Sequence, residues 1–319
     1  MTDLIFPLAL LLALLIDRSW GEPPVRLHPV VWMGNYLAWA GQRVQAIALP
    51  AGVDDFKAFW LAALYWITGS AITSGVAWML QSLIQDLWFG FSVVLLALLL
   101  KPLLAWAMLK SEVLAVEAAL GQSLPAGRER LSWLVSRDTT HLSESEVRES
   151  AIESLAENLN DSVIAPIFWF VLLGLPGAAL YRFANTADAM WGYKGVYKGQ
   201  NWEWAGKWAA RADDVLNWVP ARLTGVLLAV LHRVPLRRLR AQACQTPSPN
   251  SGWPMAAMAL ALNVRLGKPG VYTLNPAGHA PQAAQLPLAI SCASNVLLAL
   301  ISIVLVTTVL VVFFKGEVA

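Results

Sequence analysis

The stretch LWFGFSVVLLALLLKPLLAWAML, residues 87–109, decides the fold class: a run of apolar side chains, interrupted by one lysine, long enough for a helix to cross a bilayer. Phe59–Leu80 and Leu288–Phe314 carry the same signature. Three more runs are short or interrupted. Leu4–Ile16 is marginal in length, Val163–Leu180 is broken by Gly174-Leu175-Pro176-Gly177, and Trp218–Leu231 contains Pro220 and Arg222. Over 319 residues the chain is 57% hydrophobic and 14% charged, far below the roughly 25% charge of a soluble domain. An all-α, polytopic membrane protein is predicted, with broken or re-entrant helices, polar inter-helix segments and one domain over residues 1–319.

The same composition excludes other classes. A net charge of +2, without basic runs interleaved with aromatics, argues against nucleic acid as a partner. Cys244 and Cys292 lie far apart with no C-x-x-C, which speaks against a disulfide framework or a zinc site. The N-terminus lacks the basic stretch and small-residue cleavage site of a secretory signal, so its first apolar run is expected to stay.

Charge sets the expected topology. Gln81–Asp86 has no Lys or Arg and should face outward, and Lys110–Asp161 inward. A full crossing by Val163–Leu180 would put Tyr181–Asn217 outside, although it carries Arg182, Lys194, Lys198, Lys207 and Arg211. A re-entrant hairpin at the Gly-Leu-Pro-Gly break resolves the conflict, because non-helical backbone is tolerated at membrane depth where protein or a polar cavity covers it. Pro235–Gln285 reads as a polar connector facing inward.

Against this apolar background, RDTTHLSESEVRESAIESLAENLNDSVIAP, residues 137–166, is polar and rich in acids. Ser143 and Glu146 form an S-x-x-E capping box, so a helix should start there. Glu146, Glu149, Glu153, Glu157 and Asp161 then share one face, and Ile152, Leu155, Leu159 and Val163 the other. Like charges at i, i+4 destabilise a helix by a few tenths of a kcal/mol per pair, and no lysine or arginine follows within the stripe. Two readings fit Glu153, Glu157 and Asp161: a solvated acidic face, or a site for an external cation such as Mg²⁺.

Further polar clusters stand at the ends of apolar runs. Asp17 to Pro24, followed by His28-Pro29, reads as a turn or as a site. Arg137 precedes a helix start, where free amides favour anions, or pairs with Asp138. Asn185 and Asp188 share a helix face and offer the hard oxygen ligands that Mg²⁺ takes; Lys194 follows as a point charge for phosphate or as a surface lysine. Arg211 and Asp214 suit an i, i+3 ion pair, whereas Asp213 and Asn217 share a different face. Acids for a divalent metal beside Arg and Lys for phosphate are the mix that phosphoryl chemistry requires. The chain has no G-x-x-x-x-G-K-[ST] loop and no kinase signature.

Taken in order, these motifs resemble the CobD/CbiB family of cobalamin-biosynthesis membrane proteins along nearly the whole chain. The resemblance rests on Asp17…Gly21-Glu22-Pro23…His28-Pro29-Val30, Arg137-Asp138-Thr139 and Glu153-Ser-Leu-Ala-Glu157-Asn158-Leu-Asn-Asp161…Ala165-Pro166. It continues through Asn185-Thr186-Ala-Asp188-Ala-Met-Trp-Gly192-Tyr193-Lys194 and Ala210-Arg211-Ala-Asp213-Asp214-Val-Leu-Asn217-Trp-Val-Pro220-Ala-Arg222. Glu22 departs from the aspartate usual in that turn.

The resemblance implies a multi-pass ligase of the bacterial inner membrane. It would join (R)-1-amino-2-propanol, or its O-phosphate, to the free propionate carboxylate of adenosylcobyric acid, giving adenosylcobinamide or its phosphate. ATP would activate the carboxylate as an acyl phosphate, and Mg²⁺ would shield the phosphates. On this reading Glu153, Glu157, Asp161, Asp188 and Asp213 are assigned to the metal. Arg137, Lys194 and Arg211, with Asn185 and Asn217, are assigned to phosphate or substrate. Asp214 or His28 would be the general base. Trp191, Trp202, Trp204, Trp208 and Trp218 would wall the flat corrin or belong to interfacial belts. Expected partners are the corrinoid, the amine, membrane lipid and other late corrin-pathway membrane enzymes. Two other classes compete: a membrane sensor like the regulatory protein AmpE, which resembles the family distantly, and a transporter, since broken helices with intramembrane charge suit one.

Overall fold

The computed structural model describes residues 4–318, and their side chains as far as Lys315. In chain order the helices are α1 (Ile5–Trp20), α2 (Pro29–Gln45), α3 (Phe56–Gln85), α4 (Phe89–Leu100), α5 (Trp106–Leu120), α6 (Leu124–Leu131) and α7 (Glu144–Leu159). They continue as α8 (Ala165–Trp191), α9 (Lys207–Leu216), α10 (Trp218–Leu231), α11 (Leu236–Ala243), α12 (Gly252–Leu262) and α13 (Gln285–Val318). Two short antiparallel hairpins interrupt them: β1 (Val196–Tyr197) with β2 (Gln200–Asn201), and β3 (Leu266–Lys268) with β4 (Tyr272–Leu274).

Among the described residues, Phe56–Gln85, Phe89–Leu120, Glu144–Trp191 and Gln285–Lys315 are long and apolar enough to cross a membrane. The bent pair α9 and α10, at 47°, adds a fifth if it counts as one span. The helical, multi-span class read from the sequence therefore holds, although several boundaries move. Residues 87–109 are not one helix: α4 ends at Leu100, Lys101–Leu103 form a 3₁₀ turn around Pro102, and α5 starts at Trp106. Proline removes a backbone donor and clashes with the preceding turn, which explains the break. Pro235–Gln285 is more than a connector. It holds α11, the β3–β4 hairpin and α12, whose Met255, Ala256, Ala257, Met258 and Ala259 are all buried.

The chain divides into two compact units. The first takes the chain up to Leu104, Ala165–Asn217 and the end of α13 from Val312. Here α3 packs on α8, α2 and α9, and α1 on α4. Asp55 caps α3 by accepting from the Ala58 amide, as an N-cap acid should. Helix α8 breaks at Gly174 (φ 70°, ψ −157°), inside the Gly-Leu-Pro-Gly signal and in a region open to glycine. The freed Leu175 amide donates to Gln81 Oε1 at 2.7 Å. Gly177 lies so close to the Trp169 carbonyl that a Cβ would collide with it. In a straight helix these residues stand about 12 Å apart, so the chain folds back on itself at Gly174 as a helical hairpin.

The second unit takes Ala105–Ile164 and Trp218–Val311. Helix α7 packs on α5, α6, α12 and β3, and α10 packs on α12. In the first half of α13, Leu286, Ala289, Ala293, Val296 and Leu300 are buried at helical spacing.

Candidate functional site

Helix α7 starts where the sequence predicts. Ser143 and Glu146 make the complete capping box, each side chain meeting the other's backbone amide. The acid face is not solvated along its length. Glu149 and Glu153 are only 6% and 4% exposed, while Ile152, Leu155 and Leu159 are fully buried opposite. Glu157 is exposed, and Glu146 and Asp161 are half-buried.

Burying Glu153 requires counter-charge, because an unpaired buried carboxylate costs several kcal/mol. Arg137 Nη2 lies 2.6 Å from Glu153 Oε2, and Tyr272 OH donates to Oε1 at 2.9 Å. Both partners are remote in sequence, which is why the stripe looked uncompensated. Arg137 thus reaches the middle of α7 rather than its N-terminus, and does not pair with Asp138. The Asp138 carboxylate instead accepts from the Thr140 amide and hydroxyl, which hold it below the usual range. Burial, then the charge of Glu153, push the Tyr272 phenol well above its ordinary value, so it remains a donor. Arg137, Glu153, Glu157, Lys268 and Tyr272 line a cavity of about 190 Å³ with Ser136, Ser150, Ser154 and Asn158.

Past Leu159 the helix widens into a π turn, Asn160–Ile164. Asp161 Oδ1 accepts from Asn160 Nδ2 at 2.8 Å, and Asn160 Oδ1 from the Thr224 hydroxyl at 3.0 Å. Inserted π turns occur frequently at functional sites.

The first unit gathers a different set. Tyr181 OH donates to Asn217 Oδ1 and Asn217 Nδ2 to Asp213 Oδ2, each at 3.0 Å, with Asn185 Nδ2 3.5 Å from Asp213 Oδ1. Asp213 and Asn217 are buried, and Asp188 and Asp214 half-buried. Gly192 leaves room for the Asp188 carboxylate, which a Cβ there would strike. Lys194 and Arg211 are exposed. Trp191 and Trp202 are buried and stacked on each other with centroids 5.9 Å apart, so neither is available to wall a flat ligand.

His28 caps α2: its Nδ1 accepts from the Val30 amide at 3.3 Å, and its Nε2 lies 3.3 Å from Glu22 Oε2. Both ring nitrogens of His28 are thus within reach of a partner, at 3.3 Å each. Lys101, nearly buried, lies 2.7 Å from Glu22 Oε2 and 3.6 Å from Asp17 Oδ1.

Two site residues escaped the sequence reading, Lys268 and Tyr272. They sit on the hairpin inside the segment read as a connector, and the alternation LGK…YTL around Gly270 was the available signal. Among the described residues, no three His, Cys, Asp or Glu side chains converge as a ready-made metal cage. Glu157, Asp161, Asp188 and Asp213 are hard oxygen donors, the kind that Mg²⁺ takes one or two at a time beside water and substrate phosphate.

Comparison with known proteins agrees with the motif order. The sequence model of one family, described as CobD/Cbib protein, matches residues 10–312, across both units. A probable cobalamin biosynthesis protein CobD of Methanothermobacter thermautotrophicus is 43% identical over 277 residues, 83% of this chain and 85% of that one. A cobalamin biosynthesis protein CobD of Chromobacterium violaceum is 40% identical over 264 residues, 80% of each chain. A probable CobD of Methanothrix thermoacetophila is 35% identical over 325 residues, 94% of this chain and 97% of that one. No solved structure matches.

Proposed function

Since the chain belongs to the CobD/CbiB family, we propose that it acts in cobalamin biosynthesis as a membrane-bound, ATP-dependent amide ligase. It joins (R)-1-amino-2-propanol or its O-phosphate to the free propionate of adenosylcobyric acid, at the cytoplasmic membrane. The observation that carries this reading is that motif residues such as Asp17, Glu153, Asp213 and Asn217 are buried polar groups in a chain built largely of apolar helices. Ionisable groups buried in such a setting are functional by default.

A carboxylate and an ammonium do not condense at neutral pH; ATP supplies the activation, as an acyl phosphate, with Mg²⁺ neutralising phosphate charge. Glu157, open at the mouth of its cavity, and Asp161 are the metal carboxylates of the second unit, and Asp188 and Asp213 those of the first. Glu153 is the anchor of Arg137 as much as a ligand. Arg137, with Lys194 and Arg211 on exposed positions, neutralises phosphate oxygens as charge develops. Asn185 and Asn217 hold Asp213 in place through their amides. Asp214, half-buried and next to the Asp213 network, takes the proton from the amine.

Growth tests the reaction. A strain lacking the gene, and with no second ligase, should grow on added cobinamide but not on cobyric acid. Growth on cobyric acid retires the assignment, and failure on both precursors points to a transporter or sensor instead.

A further inference from the structure

Over its first half, helix α13 has one packed face and one bare face. Ala289, Ala293, Val296 and Leu300 on the packed face are buried. At 100° per residue Ser291, Asn295, Leu298 and Ser302 lie on the opposite side, and all four are exposed. The bare seam continues through half-buried Leu305 and exposed Val309. Its steps alternate between four and three residues, the repeat by which two helices pack along their length.

Asn295 is out of place on that seam. Gln285–Lys315 is the most apolar of the four spans, with a mean hydropathy of 3.1, and no side chain between its two ends is charged. Its 31 residues measure about 46 Å. Centred on a bilayer core of roughly 30 Å, they put Asn295 about 7 Å inside the hydrocarbon. The nearby Ser294 and Ser302 hydroxyls donate to their own helix, to the Ile290 and Leu298 carbonyls at 2.7 and 2.8 Å. The Asn295 amide makes no hydrogen bond to any described residue. At that depth no water answers it, and a polar group without a partner is costly.

The chemistry of the amide says what would answer it. Its oxygen carries a partial negative charge and its NH₂ a partial positive one, so it is complementary in charge to a second amide at the same depth. All copies of one chain insert the same way round. A two-fold axis relating two of them therefore runs along the membrane normal, and their α13 helices lie parallel, each residue opposite its own counterpart. A second copy brings its Asn295 to the required depth, whereas a lipid tail offers neither donor nor acceptor. We propose that α13 is a dimer interface, with a second copy of this chain seated along the seam and the two Asn295 amides hydrogen-bonded across it. One asparagine in an apolar seam fixes register and the number of helices that associate, so the pairing is specific although most of the contact is apolar.

The full chain in phosphatidylcholine vesicles tests this. C292S leaves the exposed Cys244 to carry donor and acceptor dyes, and energy transfer read against the protein-to-lipid ratio gives the strength of association. N295L should weaken it by about tenfold, in line with a hydrogen bond between membrane helices. N295Q, which keeps the amide, should retain most of it, and T307L, exposed on the far side of α13 from the seam, should change nothing. A second measurement leaves Asn295 intact. In a C244S/C292S background, L298C should form a disulfide-linked dimer on oxidation in native membranes, and T307C should not. If N295L fails to insert, that cross-link decides alone. Energy transfer absent at every ratio, N295L associating as tightly as the original, or an L298C disulfide to a different membrane protein would overturn the proposal.

Discussion

Glu153 has its two carboxylate oxygens on different partners, Arg137 and Tyr272, and is itself almost wholly buried. Removing its charge strands the guanidinium, so E153Q should destabilise the protein by about 3 kcal/mol, the lower end for breaking a buried pair. Y272F removes one hydrogen bond to a charged acceptor and should cost about 2 kcal/mol. Thermal unfolding of the detergent-solubilised chain checks both, and E153Q as stable as the original would mean that Arg137 does not depend on it. Glu157 stands one turn further along and is exposed, so the opposite pattern is expected. E157Q should leave the melting temperature unchanged and cut turnover in the proposed ligation more than tenfold, over about 1.4 kcal/mol in the barrier. Turnover within tenfold would remove Glu157 from the metal set. The sequence exposed the acids through their spacing, but not their partners. Arg137 is 16 residues from Glu153 and Tyr272 is 119, and helical periodicity reports only neighbours within a few residues.

Elements were legible where a local rule governs them. The Ser143–Glu146 box fixed the start of α7, and glycine beside proline marked the break in α8. The π turn after Leu159 was not legible, because no residue type announces one. Helix α12 was missed for a similar reason. Its eleven residues are too few for a span, and its alanines carry no periodic contrast because it is buried nearly all round. The hairpin in α8 gives a direct test. Gly177 has no room for a side chain against the Trp169 carbonyl, so G177A must push the two arms apart. It should lower stability by about 1–3 kcal/mol, as overpacking does. G75A on α3, where a Cβ meets nothing within 4 Å, should be neutral or slightly stabilising, as alanine is the better helix former. Equal melting temperatures for the two variants would mean that the arms are not folded together.

At the scale of the whole chain, the question is on which side of the membrane the basic segment after α8 emerges. Helix α3 has 30 residues, about 45 Å, and so reaches beyond both faces of a bilayer core of roughly 30 Å. Its C-terminal end carries Gln81, which holds the turn of the α8 hairpin through Leu175. At its N-terminal end Asp55 caps the helix and accepts from the Leu49 amide at 2.7 Å. The Leu49 carbonyl in turn accepts from Asn201 Nδ2 at 2.7 Å, and Gln45 Nε2 donates to the Asn201 carbonyl at 3.0 Å. Between these anchors the second arm of α8, from Leu175 to Trp191, climbs about 25 Å. Asn201 is thereby tied to the end of α3 opposite Asp86. Charge gives the sidedness: the Gln81–Asp86 turn has no lysine or arginine, whereas Lys194, Lys198, Lys207 and Arg211 gather around Asn201 in sequence. In a C244S/C292S background, D86C should react with an impermeant thiol reagent on intact cells, and N201C only after permeabilisation. Reaction of both from outside would mean that α8 crosses without turning back, and the basic segment would then have to be translocated against its charge.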